Sequence, residues 1–358
     1  MEMGDGYFDR AVAAGRLRVV GYGIDEAAPT DPDRPLRDGQ AVRHTLHRHE
    51  PPVLDTGPVA VLGVGEDYVA VCKPASMPVH VCGQYRLNSL LATLERERAD
   101  LGPLFSCNRL DVPVSGVLVL ARSSDAARDF SARLEGRRVR KLYVARVRGD
   151  FSDAARGAGG VYECEAPLGY DPRTRRAFVA DAAAPSDDRK KRKARRAGAP
   201  APAPDAEGGR TGSYARTRFK MLCRSEDGLS SVVLCEPVTG RTHQIRIHLK
   251  HAGHPIVDDA TYNDDARSPG GGDGSAGADR CVEIVGAAPR PWAVEPTCPH
   301  CPFLRSPDFD TKPPQSLCLH AIYYAAEELF EYASASLPAW AERHRWPDDV
   351  DMFGISGV

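Results

Sequence analysis

The sequence predicts a chain of both strands and helices, on three observations. Val117 to Ala121 is an unbroken apolar run bounded by turn residues, the pattern of a fully buried strand, although periodicity alone leaves a helical segment open. Val59 to Leu62 and Tyr68 to Val71 flank a Gly65-Glu66-Asp67 turn as the arms of a hairpin do, with Lys73-Pro74 ending the second arm. Residues 88 to 98 and 123 to 134 carry the spacing of amphipathic helices instead.

Taken in order, residues 1 to 50 form a candidate separate module or extension: a helix from Tyr7 to Gly15, a strand from Leu17 to Val20, a Pro/Asp-rich loop, and a turn at Gly39 into Ala41 to His47. His44, His47 and His49 cluster there. On a strand only the last two share a face, and no Cys or paired acid completes a metal site. In the Asn88 to Arg98 helix, Leu87, Leu90, Leu91 and Leu94 are expected in the core. Ser124 is the expected N-cap of the next helix, which runs to Leu134. Lys141 to Gly149 alternates as a strand with Lys141, Tyr143, Ala145 and Val147 on one face. Ser231 to Cys235 is a further strand. Gly240 then permits a tight turn into a helix from Thr242 to Lys250, with Arg241 at its start.

Between these segments the composition changes abruptly. Residues 182 to 210 hold Ala, Pro, Asp and the run RKKRKARR at 189 to 196, and residues 264 to 279 are Gly-rich. Both are expected to loop out as disordered insertions, because long loops cost little extra closure entropy. The basic run reads as a solvated tether, a nuclear-localisation signal or an extra phosphate contact. A main domain is expected over 51 to 345, with a tail at 346 to 358.

The net charge is −2, yet residues 107 to 148 hold ten Arg and Lys against four Asp and Glu, and residues 171 to 196 repeat that ratio. Local basic patches matter more than the total for a polyanion, because its field is screened within roughly 8 to 10 Å. Ten scattered cysteines suggest reduced thiols, and no apolar stretch approaches the about 20 residues of a membrane span. The N-terminal segment lacks the apolar region of a signal peptide. An intracellular protein, cytoplasmic or nuclear or both, is expected. No protein partner is legible, and a monomer is expected.

Chemistry concentrates before the buried strand, in Asn108-Arg109-Leu110-Asp111. A carboxylate at a strand mouth needs a cation or several donors facing it. Arg109 shares its face, and such a neighbour equally points outward toward a ligand. Asn108 to Asp111, followed by Val114-Ser115-Gly116 and an apolar strand, resembles the catalytic motif of RluA-type pseudouridine synthases. Val114 stands where that motif has Thr, and Val112 where a basic residue is common. Lys73-Pro74-Ala75-Ser76 and the following Pro78-Val79-His80 resemble another family element, a structural shelf beside the site. Thr239 to Arg246, with His248, Gly253 to Ile256 and Asp258, resembles a third hallmark nearly residue for residue. Leu319-His320-Ala321 and the 338 to 342 stretch resemble its closing elements, read as packing. The segment before residue 50 loosely resembles an S4-like RNA-binding module.

That resemblance implies an α+β fold on a mixed, largely antiparallel sheet, and an enzyme that turns uridine in RNA into pseudouridine without cofactor or metal. It implies Asp111 as the catalytic carboxylate, with Tyr143, in a strand where tyrosine is otherwise core, over the target base. Arg241 is expected to hold Asp111 ionised. Arg109 is expected to fill the gap left by a flipped nucleotide and Arg246 to bind phosphate, with Asn108, Lys141 and His243 also on the RNA. Likeness to the eukaryotic branch favours transfer RNA, at position 32, with ribosomal RNA the other candidate.

Two rival functions follow from the same residues. A catalytically inactive RNA-binding protein of this fold is disfavoured by the intact Asp111, Tyr143 and Arg241. A metal hydrolase built on His243, His248, His251 and His254 is disfavoured by spacing, since His248 and His251 are three apart without a Glu. Cys298 and Cys301 form a lone C-x-x-C, for which His300, Cys281 and Cys318 are unpatterned additional ligands.

Overall fold

The computed structural model describes residues 6–21, 23, 30–31, 33–45, 50–51, 53–54, 56–154, 160–183, 211–263, 316–327, 329–342 and 353. The basic run at 189 to 196, most of both expected insertions, His47, His49, the Cys298 and Cys301 pair and nearly all of the expected tail lie outside the described residues. The chain divides into two compact units. One holds residues 1–50 and 290–310, the other 51–289 and 311–358.

In the first unit, α1 (Tyr7–Ala13) precedes an antiparallel pair, β1 (Leu17–Gly21) and β2 (Gln40–His44), with Leu17 opposite His44. Ala11 is its buried anchor.

The second unit is built on one sheet of ten strands. Along its path run β3 (Ala60–Val64), β4 (Tyr68–Lys73), β6 (Ser115–Ala121), β15 (Leu319–Ala326), β7 (Val139–Arg148), β14 (Ser230–Pro237), β13 (Thr217–Arg224) and β8 (Val161–Cys164). β5 (Phe105–Ser106) joins β6, and β16 (Phe330–Ala333) joins β15. Every pairing is antiparallel except β6 with β15. β9 (Leu168–Asp171) and β10 (Arg176–Val179) form a separate hairpin, and β11 (Ala182–Ala183) and β12 (Thr211–Gly212) a short parallel pair. Between strands lie α2 (Leu90–Glu97), α3 (Ser124–Glu135) and α4 (Gln244–His251), and α5 (Ala339–Glu342) follows the last strand. The mixed, largely antiparallel sheet expected of an α+β fold is therefore present.

Burial explains the strands. Val117 to Ala121 is completely buried, as an apolar run without polar alternation must be if both sheet faces are covered. α3 packs through Phe130, whose ring centroid lies 6.0 Å from that of Tyr68 and 5.7 Å from that of Phe330. α2 buries Leu90 and Leu94, but Leu87 is 61% exposed, contrary to expectation. The helix starts only at Leu90, so Leu87 falls outside the periodicity that would have turned it inward. The cap of α3 is Ser123 and not Ser124: its hydroxyl accepts the Ala126 N–H at 3.1 Å. Trp340 and Ala341 of α5 are buried, in keeping with a packing role.

One row of residues crosses five strands and positions the site. Lys73 lies opposite Gly116, Gly116 beside Ala321, Ala321 opposite Tyr143, and Tyr143 opposite Cys235. Gly116 has φ +111°, and a Cβ there would stand 2.2 Å from the Ala321 carbonyl oxygen. Only glycine lets β6 and β15 approach this closely.

Candidate active site

Asp111 sits five residues ahead of Gly116, in a turn closed by the Val114 N–H donating to the Asp111 carbonyl at 3.1 Å. Leu110 and Val114 are buried on either side and anchor the turn at the mouth of β6, leaving the Asp111 side chain 29% exposed. A carboxylate in that position is reachable by substrate yet partly stripped of water.

Its cation is Arg246, which corrects the expectation for Arg241. Arg246 Nη1 donates to Asp111 Oδ2 at 3.1 Å, while Nε and Nη2 form a bidentate pair with Asp259, each at 2.7 Å. Arg241 instead donates from Nε to the Tyr214 carbonyl at 3.0 Å. The reason is local. His243 takes the left-handed conformation, φ 55°, and α4 begins at Gln244 instead of Thr242. Gln244 Oε1 accepts both the Arg241 N–H and the Thr239 hydroxyl, so this turn fixes Arg241 ahead of the helix, and Arg246 is the arginine facing the carboxylate. Arg246 is only 4% exposed, which turns it from the expected phosphate ligand into an internal bridge.

His243 lies against the same carboxylate, Nε2 3.6 Å from Oδ2. Burial lowers its pKa, and Arg246 and Arg109 add to this against the opposing pull of Asp111 and Asp259. Its Nδ1 is 2.6 Å from the Tyr262 hydroxyl.

Tyr143 is buried, and its hydroxyl is 2.9 Å from that of Tyr324, which accepts from Asn108 Nδ2 at 2.9 Å. Burial, then Tyr324, pushes the Tyr143 pKa well above its ordinary value, and the Asp111 charge adds to the effect. Asn108 Oδ1 is buried and accepts no hydrogen bond among the described residues. Arg109 is exposed, and Lys141 is half-buried with its pKa lowered by burial to about 8.

Four further residues belong to this constellation without having been assigned to it from the sequence. Lys73 is fully buried and donates to the carbonyls of Pro74 and Met77 at 2.7 Å and of Val112 at 3.3 Å. Burial lowers its pKa to about 7 while Asp111 pulls it upward. Tyr324, Asp259 and Tyr262 are the others. The Lys-Pro motif was visible, but an internal tie to the turn carrying Asp111 was not. Of the adjacent Asp258 and Asp259, only the structure shows which one holds Arg246.

Three further histidines make internal hydrogen bonds. His248 is fully buried, with Nε2 on the Ala166 carbonyl at 3.0 Å and Nδ1 on the Thr217 hydroxyl at 2.9 Å. His254 Nδ1 faces the Arg148 carbonyl at 2.9 Å, and His320 lies between Ser115 and Ser334. No group of three or more His, Cys, Asp or Glu among the described residues is arranged to hold a metal ion. No helix among them is long and apolar enough to cross a membrane.

A strand-mouth carboxylate gripped by a buried arginine, beside a buried tyrosine pair, invites comparison with known proteins. The family model described as RNA pseudouridylate synthase matches residues 67–251. A protein named RNA pseudouridine synthase 7 from Oryza sativa subsp. japonica is 34% identical, over 98% of this chain and 82% of its own length. The protein named tRNA pseudouridine(32) synthase, mitochondrial, from Saccharomyces cerevisiae is 33% identical, over 72% of this chain and 47% of its own. Among solved structures, Human RNA Pseudouridylate Synthase Domain Containing 4 shares the fold at a TM-score of 0.50 and 21% identity, covering 78% of this chain and 89% of that one. The chain belongs to the RNA pseudouridylate synthase family, enzymes that isomerise uridine in RNA to pseudouridine. Its likeness lies with the eukaryotic RluA-like branch.

Proposed function

We propose that this enzyme isomerises particular uridines of transfer RNA, and that Asp111 is the residue that acts on the ribose. The observation that carries the assignment is the setting of Asp111: partly exposed at the mouth of β6, with Arg246 donating to one of its oxygens. A charge-assisted pair keeps such a carboxylate ionised and aimed. Substrate and product are isomers. The C1′–N1 bond breaks, a C1′–C5 bond forms, and a proton leaves C5 as one is gained at N1, so the uracil must turn within the site before rejoining the sugar. The base must leave the helical stack to reach Asp111.

Tyr143 supplies the ring against which the base stacks, and its hydroxyl, wired to Tyr324 and Asn108, lies where a proton can be relayed. Arg109, exposed one residue before Leu110, is suited to occupy the gap left by the extruded nucleotide. Lys141 and Asn108 are further candidates for RNA contact. The choice of transfer RNA is supported by the 33% identity to the yeast relative with that substrate in its name.

The test is Asp111→Asn, which preserves shape and removes the charge. The fold should survive with a stability change of about 1 to 3 kcal/mol, and RNA affinity should remain near that of the parent. Pseudouridine formation should fall below detection in a tritium-release assay. Product from well-folded Asp111→Asn protein overturns the assignment. Mapping pseudouridines in cells with and without the enzyme tests the RNA class, and losses confined to ribosomal RNA would overturn transfer RNA.

A further inference from the structure

Both side chains set against Asp111 approach the same one of its two oxygens. Arg246 Nη1 lies 3.1 Å from Oδ2 and His243 Nε2 lies 3.6 Å from the same atom. Oδ1 accepts no side-chain hydrogen bond among the described residues. Whether His243 presents a proton or a lone pair to Oδ2 depends on its tautomer, and its other neighbour decides that.

The other neighbour is Tyr262. Its hydroxyl accepts the Ala177 N–H at 2.8 Å, which commits a lone pair. The hydroxyl proton is then free to point at His243 Nδ1, 2.6 Å away. An imidazole whose Nδ1 accepts, and which is neutral, carries its proton on Nε2. Tyr262 is itself locked in place. Its backbone N–H donates to Asp259 Oδ1 at 3.2 Å, the Arg246 guanidinium lies 4.9 Å over its ring, and the His243 ring meets it at 72° with centroids 5.5 Å apart. The groups facing His243 are Asp111 from the turn before β6, Arg246 from α4, Asp259 and Tyr262 from the segment after α4, Tyr170 from β9, and Arg109. Of these, burial and the two arginines outweigh the carboxylates and favour the neutral ring. The left-handed backbone of His243, rare for a residue with a side chain, is a second sign that its placement is maintained against a local cost.

We propose that His243 is a positioning residue for Asp111: Tyr262 locks it as the Nε2–H tautomer, and with Arg246 it holds Oδ2, leaving Oδ1 as the oxygen that acts on the ribose. The inference rests on the assignment of Asp111 in the proposed function. It gives the histidine of the Thr-His-Gln-Ile-Arg stretch work inside the site in addition to any contact with RNA. As the base enters and water leaves, the gap from Nε2 to Oδ2 closes to a hydrogen bond, because the carboxylate then has fewer competing donors.

The tautomer is read directly, without RNA, by two-bond proton–nitrogen correlation on the full chain labelled with 15N-histidine. The signal of His243 is identified by its loss in His243→Gln. A bare Nδ1 with a protonated Nε2 is expected at pH 7, and a protonated Nδ1 overturns the proposal. Tyr262→Phe keeps the ring beneath Arg246 and removes the lock, so a mixture of tautomers is expected. An undiminished Nε2–H form in that variant overturns the role of Tyr262. In single-turnover reactions, His243→Leu should slow product formation on the order of 100-fold with RNA affinity changed only a few-fold. His243→Gln, whose amide can present N–H to Oδ2, should recover most of the loss. A Gln variant no faster than Leu, or a Leu variant at the parent rate, overturns the proposal. Failure of the Asp111 assignment is read separately, by turnover in Asp111→Asn, and leaves the tautomer measurement standing.

Discussion

Arg246 reaches Asp111 across 3.1 Å of space and 135 residues of sequence, while two of its nitrogens are held by Asp259. The guanidinium is a rigid fork, and here all its reach is used. Lysine has one ammonium and cannot replace it at a bidentate site. Arg246→Lys should therefore leave Asp259, 1% exposed, incompletely paired, and lower stability by about 2 to 4 kcal/mol with loss of turnover. Arg241→Gln, which removes the donor to the Tyr214 carbonyl and leaves the Arg246 contact to Asp111 in place, should change stability by less than about 1 kcal/mol and leave turnover of bound RNA within a few-fold. Urea melts and single-turnover rates on both variants measure this. Equal losses of turnover would restore Arg241 to the role of anchoring Asp111.

The contrast marks where the sequence was legible. The buried β6, the hairpin of β3 and β4 and the alternating β7 were readable from local pattern: an apolar run bounded by turn residues, a Gly-Glu-Asp turn between two apolar arms, and period-2 alternation. The Asn108 to Asp111 and Thr239 to Arg246 stretches were readable as a site because their pattern resembles a family. What could not be read was the geometry set by non-local contacts. The left-handed turn at His243 delays α4 and settles which arginine faces inward. The register across β4, β6, β15, β7 and β14 brings Lys73 into one row with Tyr143. Neither Asp259 nor Tyr262 announces itself by spacing, since their partners lie on other elements.

The tyrosine pair separates stacking from proton handling. Burial, then Tyr324, raises the Tyr143 pKa well above its ordinary value, which favours the neutral phenol, so the proposed proton relay would use its hydroxyl as a donor. Tyr143→Phe should bind RNA as the parent does and form product more slowly. Tyr324→Phe should produce a smaller slowing, because Tyr143 keeps its own hydroxyl and loses one partner. Full activity of Tyr143→Phe would reduce its hydroxyl to packing.

Lys73 ties the Asp111 turn to the end of β4. Three carbonyl acceptors match the three protons of an ammonium, which offsets part of the cost of burying it. Lys73→Met keeps the length of the side chain and removes every donor. It should cost about 2 to 4 kcal/mol in a denaturant melt, from carbonyls left unpaired, and slow turnover by loosening Val112 beside Asp111. A variant as stable and as fast as the parent would show that Lys73 contributes neither.

The acid limb of stability should come largely from two buried histidines. His248 and His320 both have pKa values lowered by burial from 6.5 to about 4. His248 has no room for a second proton: Nε2–H donates to the Ala166 carbonyl, and Nδ1 accepts from the Thr217 hydroxyl, whose own oxygen accepts from Gln244. Between pH 4 and 6.5 the unfolded chain binds protons at these positions that the folded chain does not, so stability rises with pH through that window. Going downward, each histidine withdraws up to about 3 kcal/mol, with the loss complete below the folded pKa. His248→Gln retains a donor for Ala166 and cannot titrate. It should be less stable than the parent at pH 7.5 by about 1 to 2 kcal/mol, from the lost partner of Thr217. The gap should narrow as pH falls and close or reverse by pH 4, because only the parent has a proton to refuse. Urea melts at pH 7.5, 5.5 and 4 decide it, and a gap that stays constant over that range would mean His248 does not titrate as its surroundings require.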